Sequence, residues 1–275
     1  MVFVPLNPHN AILEAVLVVR LNRPLLQREG DRLQRVHDQL LVDLPKKEMD
    51  QVFQVFIGAS EPGEPPAVPF RFLAYQRDGS LEARVNVQDN LIIFNFLTYS
   101  RWKSLWIRAS RWYEYFFHEL SKISSSSSDP LLVVGCAHQI IDVFRSADVT
   151  KQSLPREVIQ GTSNRIAPAL FDATAPCQSV HGIQLAGSFG GRAGIMIDSL
   201  AVDFGAEEQI GWRVKINHTL EIHLNQPLTF SEDTPTINEW IADGMLQLHT
   251  YNKNVVSSII SPEMRNKINI DASTE

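Results

Sequence analysis

Cysteine is nearly absent from this sequence: Cys136 and Cys177 are the only two in 275 residues. Two thiols make no disulfide framework, which excludes the small stapled scaffolds of secreted proteins. Long apolar runs are missing as well. The longest fall far short of the roughly 20 residues a helix needs to cross a bilayer, so no transmembrane helix is expected. The opening stretch MVFVPLNPHN has no basic segment and meets two prolines early. No secretory leader is therefore expected, and a reducing cytoplasm is the expected compartment. Neither a phosphate-binding P-loop nor a strand-to-helix GxGxxG turn occurs.

An excess of positive charge is also lacking. The formal charge is −6, which argues against generic binding to a nucleic-acid backbone. The imbalance is local: residues 1–123 carry 15 Lys or Arg against 14 Asp or Glu, and residues 124–275 carry 10 against 17. A basic partner protein would find its complement in the second part, although an acidic solvated surface needs no partner.

What is present is apolar periodicity, with 44% hydrophobic residues and 20% charged. The strand LIIFNFLT leads through Tyr99 and Ser100 into RWKSLWIRASRWYEYFFHELSKI. There Trp102, Leu105, Trp106, Ala109, Trp112, Phe116, Leu120 and Ile123 recur at spacings of three and four, which predicts one stripe of a long helix capped by Ser100. Tyr113, Tyr115 and Phe117 fall off that stripe, and an exposed aromatic cluster for a partner is expected there.

Before this helix, ILEAVLVVRL (residues 12–21) predicts a central buried strand. A helix marked by Leu33, Val36, Leu40 and Leu44 follows, and Pro45 closes it. A short strand is expected over 51–57, then a Pro/Gly-rich loop and a hairpin turning at Asp78 and Gly79. After five serines (124–128) the order recurs: the strand LLVVGCAHQIIDVF, a short helix at Pro155, three strands, and a long helix from Thr234 and Pro235 to Ile259. The expectation is an α+β fold, with antiparallel strands, two long amphipathic helices on one side, and two similar halves. The expected division is 1–123, a serine-rich linker at 124–130, and 131–275, packed as one unit.

No catalytic or metal-ligating set stands out, and no cofactor is expected. His218 and His223 in KINHTLEIHL lie five apart, on opposite faces of a strand, and so cannot chelate one metal together. Cys136 and His138 share a strand face but lack an orienting third group. AGSFGGRAG (186–194) has glycines and Arg192 that suit an anion, yet it lies between two predicted strands and reads as a hairpin loop. Asp198 and Asp203 have no site-defining spacing. If a pocket exists between sheet and helices, Glu14, His138 and His218 are its candidate polar residues.

The stretches NAILEAVLVVRLNRPLL, FNFLTYSRWKSLW, LVVGCAHQIIDVF and INEWIADGMLQLHTYNKNVVSSIIS together resemble a sporadically distributed family of uncharacterised bacterial proteins. Glu14, Tyr99, Trp102, Leu248 and His249 stand at matched positions. Residues 133–138 (VVGCAH) depart from the Arg-rich strand of that family, so no role of those arginines carries over. The resemblance implies a bacterial cytoplasmic protein of defence-associated loci, CRISPR-type loci included. A non-enzymatic accessory or regulatory protein is expected, binding another protein encoded nearby. A homo-oligomer is a further expectation, and nucleic acid and membrane are not expected partners. The alternative is an enzyme or small-ligand binder using the pocket above.

Overall fold

The computed structural model describes residues 3–7, 10–49, 66–99, 101–124, 129–146, 154–160, 164–207, 211–230 and 234–270. The strand expected over 51–57, the Ser100 cap and serines 125–128 lie outside the described residues. Strands β1 (Phe3–Pro5) and β2 (Ile12–Leu21) precede the short helices α1 (Gln27–Gln34) and α2 (His37–Leu40). Then come β3 (Lys46–Met49), β4 (Phe70–Tyr75), β5 (Leu81–Gln88), β6 (Leu91–Phe96) and the long helix α3 (Trp102–Ser124). The second half runs through β7 (Leu132–Ser146), 3-10 turns at Pro155–Glu157 and Pro168–Leu170, β8 (Cys177–Phe189), β9 (Arg192–Glu207), β10 (Gly211–Thr229), α4 (Thr234–Ile259) and α5 (Pro262–Ile268).

Among the described residues ten strands form one antiparallel sheet in the order β3-β4-β5-β6-β2-β7-β10-β9-β8, and β1 also pairs with β7. Each half follows one rule. Setting β1 aside, its first strand pairs with its last, and the meander then runs outward, β2-β6-β5-β4 in one half and β7-β10-β9-β8 in the other. The recurrence expected from the sequence thus extends to strand order, and the antiparallel β2–β7 pair joins the halves into one sheet.

Local chemistry explains the elements. Gly79 takes a positive φ of 85° in the β4–β5 turn, a backbone state that costs glycine no side-chain clash. α1 starts where the Leu26 amide donates to Glu29 Oε2 at 2.8 Å, and Arg23 clamps the same buried carboxylate with two bonds of 2.8 Å. α3 buries Leu105, Ala109, Trp112, Phe116 and Leu120 as the stripe predicts. The Trp112 ring stacks on Phe96 at 5.2 Å and 7°, and its indole N–H is satisfied by Asp43.

The stripe is wider than its spacing suggests, which corrects the expectation of an exposed aromatic cluster. Tyr113 is 2% exposed and Phe117 is fully buried, while Tyr115 is half-buried against the same core. Tyr113 packs on Phe94 at 4.3 Å and Phe117 on Phe230 at 5.6 Å. The physical reason is that α3 meets α4 as well as the sheet. A helix covered on two sides buries more of its circumference than the single stripe of a surface helix. No helix among the described residues is long and apolar enough to cross a membrane.

Candidate functional site

Side chains directly opposite in antiparallel strands share a face. The register therefore lays one row across the sheet beneath the helices: Phe94, Leu17, His138, Leu220 and Asp198. The neighbouring row carries Ile140, His218 and Leu200. His138 and His218 are thus brought together on the helix-covered face, both fully buried. Glu14 is not. It pairs with Ile141 on the opposite face, where it accepts a 2.6 Å bond from Asn95 Nδ2 and lies 3.6 Å from Arg84. The three candidate pocket residues do not form one site.

His218 stands at the centre of a closed network. Its Nε2 lies 2.9 Å from Asp198 Oδ1 and its Nδ1 2.7 Å from Asn252 Oδ1. Arg165 donates from Nη1 to Asp198 Oδ2 at 2.6 Å and from Nη2 to the Tyr251 hydroxyl at 2.9 Å. The carboxylate makes Nε2 a donor, and the Asn252 amide, whose two ends are interchangeable in shape, suits either state of Nδ1. Burial would raise the Asp198 carboxyl, but the bonds and charges of His218 and Arg165 outweigh it and hold the group at about 2. Asp198 and His218 have no solvent exposure. The arrangement ties the segment before the second 3-10 turn to β9, β10 and α4.

His138 has the opposite surroundings. Neither of its ring nitrogens has a hydrogen-bond partner among the described residues. Trp102 meets the ring edge-on at 5.5 Å and His249 at 5.9 Å. Burial, with the nearby His249 and His218, holds His138 well below the usual histidine range. Burial and Lys253 bring His249 down to about 4. Both rings are neutral near pH 7 and pack as aromatics in the seam between α3 and α4.

The Cys136 and His138 pair cannot act as thiolate and imidazolium in this state. Burial pushes the thiol up and the imidazole down, the reverse of an activated cysteine. Among the described residues no group of three or more His, Cys, Asp or Glu side chains is placed to hold a metal ion.

The glycine-rich stretch 186–194 is the β8–β9 turn, with φ of 54° at Gly190 and 77° at Gly191. Trp240 of α4 donates from its indole to the Phe189 carbonyl at 2.9 Å. Beside this contact lies an open cleft of about 640 Å³ lined by Arg192, Asn225, Gln226, Glu239 and Asp243.

Along the sequence Asp198 has only Asp203 as a neighbouring carboxylate, Tyr251 reads as one of the apolar positions of the last helix, and Arg165 and Asn252 carry no signal. Their partners lie 20 to 86 residues away, so no local spacing could have revealed them. The chain matches no protein-family model, and a comparison with curated proteins finds no relative.

Proposed function

We propose that this chain is a non-enzymatic interaction protein, an accessory or regulatory component that binds another protein across the helix-free face of its sheet. On the resemblance quoted above, its setting is a bacterial defence system, CRISPR-associated systems included. One observation carries the reading: the helices and the 3-10 turns pack on one face, and among the described residues the other face of ten strands is uncovered. That face mixes Ile197, 37% exposed, and half-buried Val18, Ile93 and Ile141 with Glu14, Arg20, Arg84, Asp203 and Glu221. Apolar groups among charges of both signs suit a protein surface, whereas interspersed carboxylates repel a polyanion. The test is reconstitution from purified proteins of the neighbouring genes. Binding by the native chain and its loss in Ile197→Glu with Thr219→Arg support the reading. No binding by any neighbour, or binding unchanged in the variant, overturns it.

A second reading, a small-ligand binder, draws on the cleft beside Trp240. Arg192, Glu239 and Asp243 line it together, so it offers charges of both signs and suits a small zwitterion. Calorimetric titration with free amino acids and dipeptides tests it. Heat of binding abolished by Arg192→Ala is the supporting result, and no heat with the native chain is the opposing one.

A further inference from the structure

The two edges of the sheet differ in kind. Among the described residues one edge is β3, four residues long, with the sequence KKEM. It carries Lys46 and Lys47, and Glu48 is bridged by Lys46 at 2.6 Å and Arg71 at 3.7 Å. Short length and charge are how sheet proteins block edge-to-edge pairing. The other edge is β8, thirteen residues long, with the sequence CQSVHGIQLAGSF. It contains no Lys, Arg, Asp, Glu or Pro. Its residues from Gln184 to Ser188 are exposed; among the described residues the Ala167 amide donates to Ser179 Oγ near one end and Trp240 to the Phe189 carbonyl at the other, and no loop makes a backbone-to-backbone bond to the strand. Apolar side chains stand bare on both of its faces, Val180 at 70% and Leu185 at 39% exposure.

We propose that β8 is a self-association edge: two copies pair β8 with β8 antiparallel about a two-fold axis, making one continuous sheet of twice the width. The occupant is a second copy because the strand is complementary to itself. Its midpoint is Ile183, and full overlap about that point opposes Ile183 to its own copy, His181 to Leu185, Val180 to Ala186 and Gly182 to Gln184. No opposed pair contains Lys, Arg, Asp or Glu, and His181 faces Leu185, not its own copy, so no like charges are set opposite one another. An antiparallel two-fold also keeps faces matched. Ile183 pairs with Asp198 on the helix-covered face and Val180 with Ala201 on the open one, so each face meets its own kind across the junction. Pairing then covers Val180 and Leu185 and gives partners to the outward backbone groups that no described loop backbone reaches. An isologous contact closes on itself, and among the described residues each end of the doubled sheet is then the short, charged β3.

This inference does not rest on the proposed partner. It implies that the open face is presented twice, side by side, in one assembly. Sedimentation equilibrium in the micromolar range tests it. The native chain should sediment at twice the chain mass. Val180→Lys with Ala186→Lys sets like charges opposite one another and should give the monomer, as should Val180→Glu with Ala186→Glu. Mixing the two variants should restore the doubled mass, since each lysine then faces a glutamate in this register. A monomeric native chain, or a doubled mass that survives in the unmixed variants, overturns the proposal and leaves the partner reading standing. If the variants do not fold, hydrogen exchange on the native chain decides. Protection of the β8 amides should rise with protein concentration, and protection independent of concentration overturns the proposal.

Discussion

The ring of His249 on α4 lies flat on that of Trp102 on α3, with 4.1 Å between centroids and 3° between planes. The pair bridges the two long helices directly over His138, and Trp106 extends the stack at 5.7 Å from Trp102. A face of this kind between neutral aromatic rings locks helix against helix without charge.

The first prediction concerns that lock. Trp102→Ala and His249→Ala should each destabilise the chain, and together they should cost less than the sum of the two. The shortfall should be about 0.5 to 1.5 kcal/mol, the ordinary coupling of stacked aromatics beyond their buried area. Urea unfolding of the four members of the cycle measures it, and strict additivity would show the contact to be incidental.

Stability should also depend on pH in a defined window. His138 and His249 have folded values held below the ordinary 6.5. The unfolded chain therefore takes up protons that the folded chain refuses, and stability is lost as pH falls from about 6.5 toward about 4. Asp142 acts in the opposite sense. Burial raises its carboxyl from 3.8 to about 7, so its contribution is greatest at low pH and is lost as pH rises through about 7. Two groups outweigh one, and net stability should rise between about pH 4 and 6.5. Asp142→Asn removes the opposing slope and should steepen the rise by about 1.4 kcal/mol per pH unit. Unfolding midpoints across that range would show it.

Removal of Arg165 should be costly. Arg165→Ala leaves the Asp198 carboxylate buried with one partner fewer, and about 3 kcal/mol is expected from an uncompensated buried charge. Adding Asp198→Asn neutralises that charge and should recover part of the loss. If the double variant is no more stable than Arg165→Ala, charge burial is not what the arginine offsets.

Two glycines should respond oppositely to alanine. A Cβ on Gly135 would stand 2.2 Å from the Ile222 carbonyl oxygen across the β7–β10 pair. Gly135→Ala must therefore push two central strands apart, at about 3 kcal/mol or more. Gly205 in β9 has nothing within 4 Å of the same position, and Gly205→Ala should be neutral or stabilising by up to about 1 kcal/mol. Thermal unfolding of the two variants side by side is the measurement.

Much of the fold can be read from local pattern. Alternation along Leu81, Ala83, Val85 and Val87 places one face of β5 in the core, and the spacing of Trp112, Phe116 and Leu120 does the same for α3. The recurrence of strand, short helix, strands and long helix is visible too, since each element announces itself through its own period.

Period specifies which side of an element is apolar, but not what will cover it. Tyr113 and Phe117 look exposed along the chain and are core in the molecule, because Phe94 of β6 packs on the first and Phe230, more than a hundred residues later, on the second. Glu14 and His138 look like partners until the β2–β7 register puts them on opposite faces. His218 meets Asp198 and Asn252 only once β9, β10 and α4 are assembled. The bare composition of β8 and the lysines of β3 are plain in the sequence, yet only the strand order makes both of them edges among the described residues. Local sterics and side-chain polarity were enough to determine the longer elements and their apolar sides, though not the short β1 and β3 or the break between α1 and α2. Which strands are central, which are edges and which polar groups meet depended on pairings between distant segments, and those the tertiary structure alone decided.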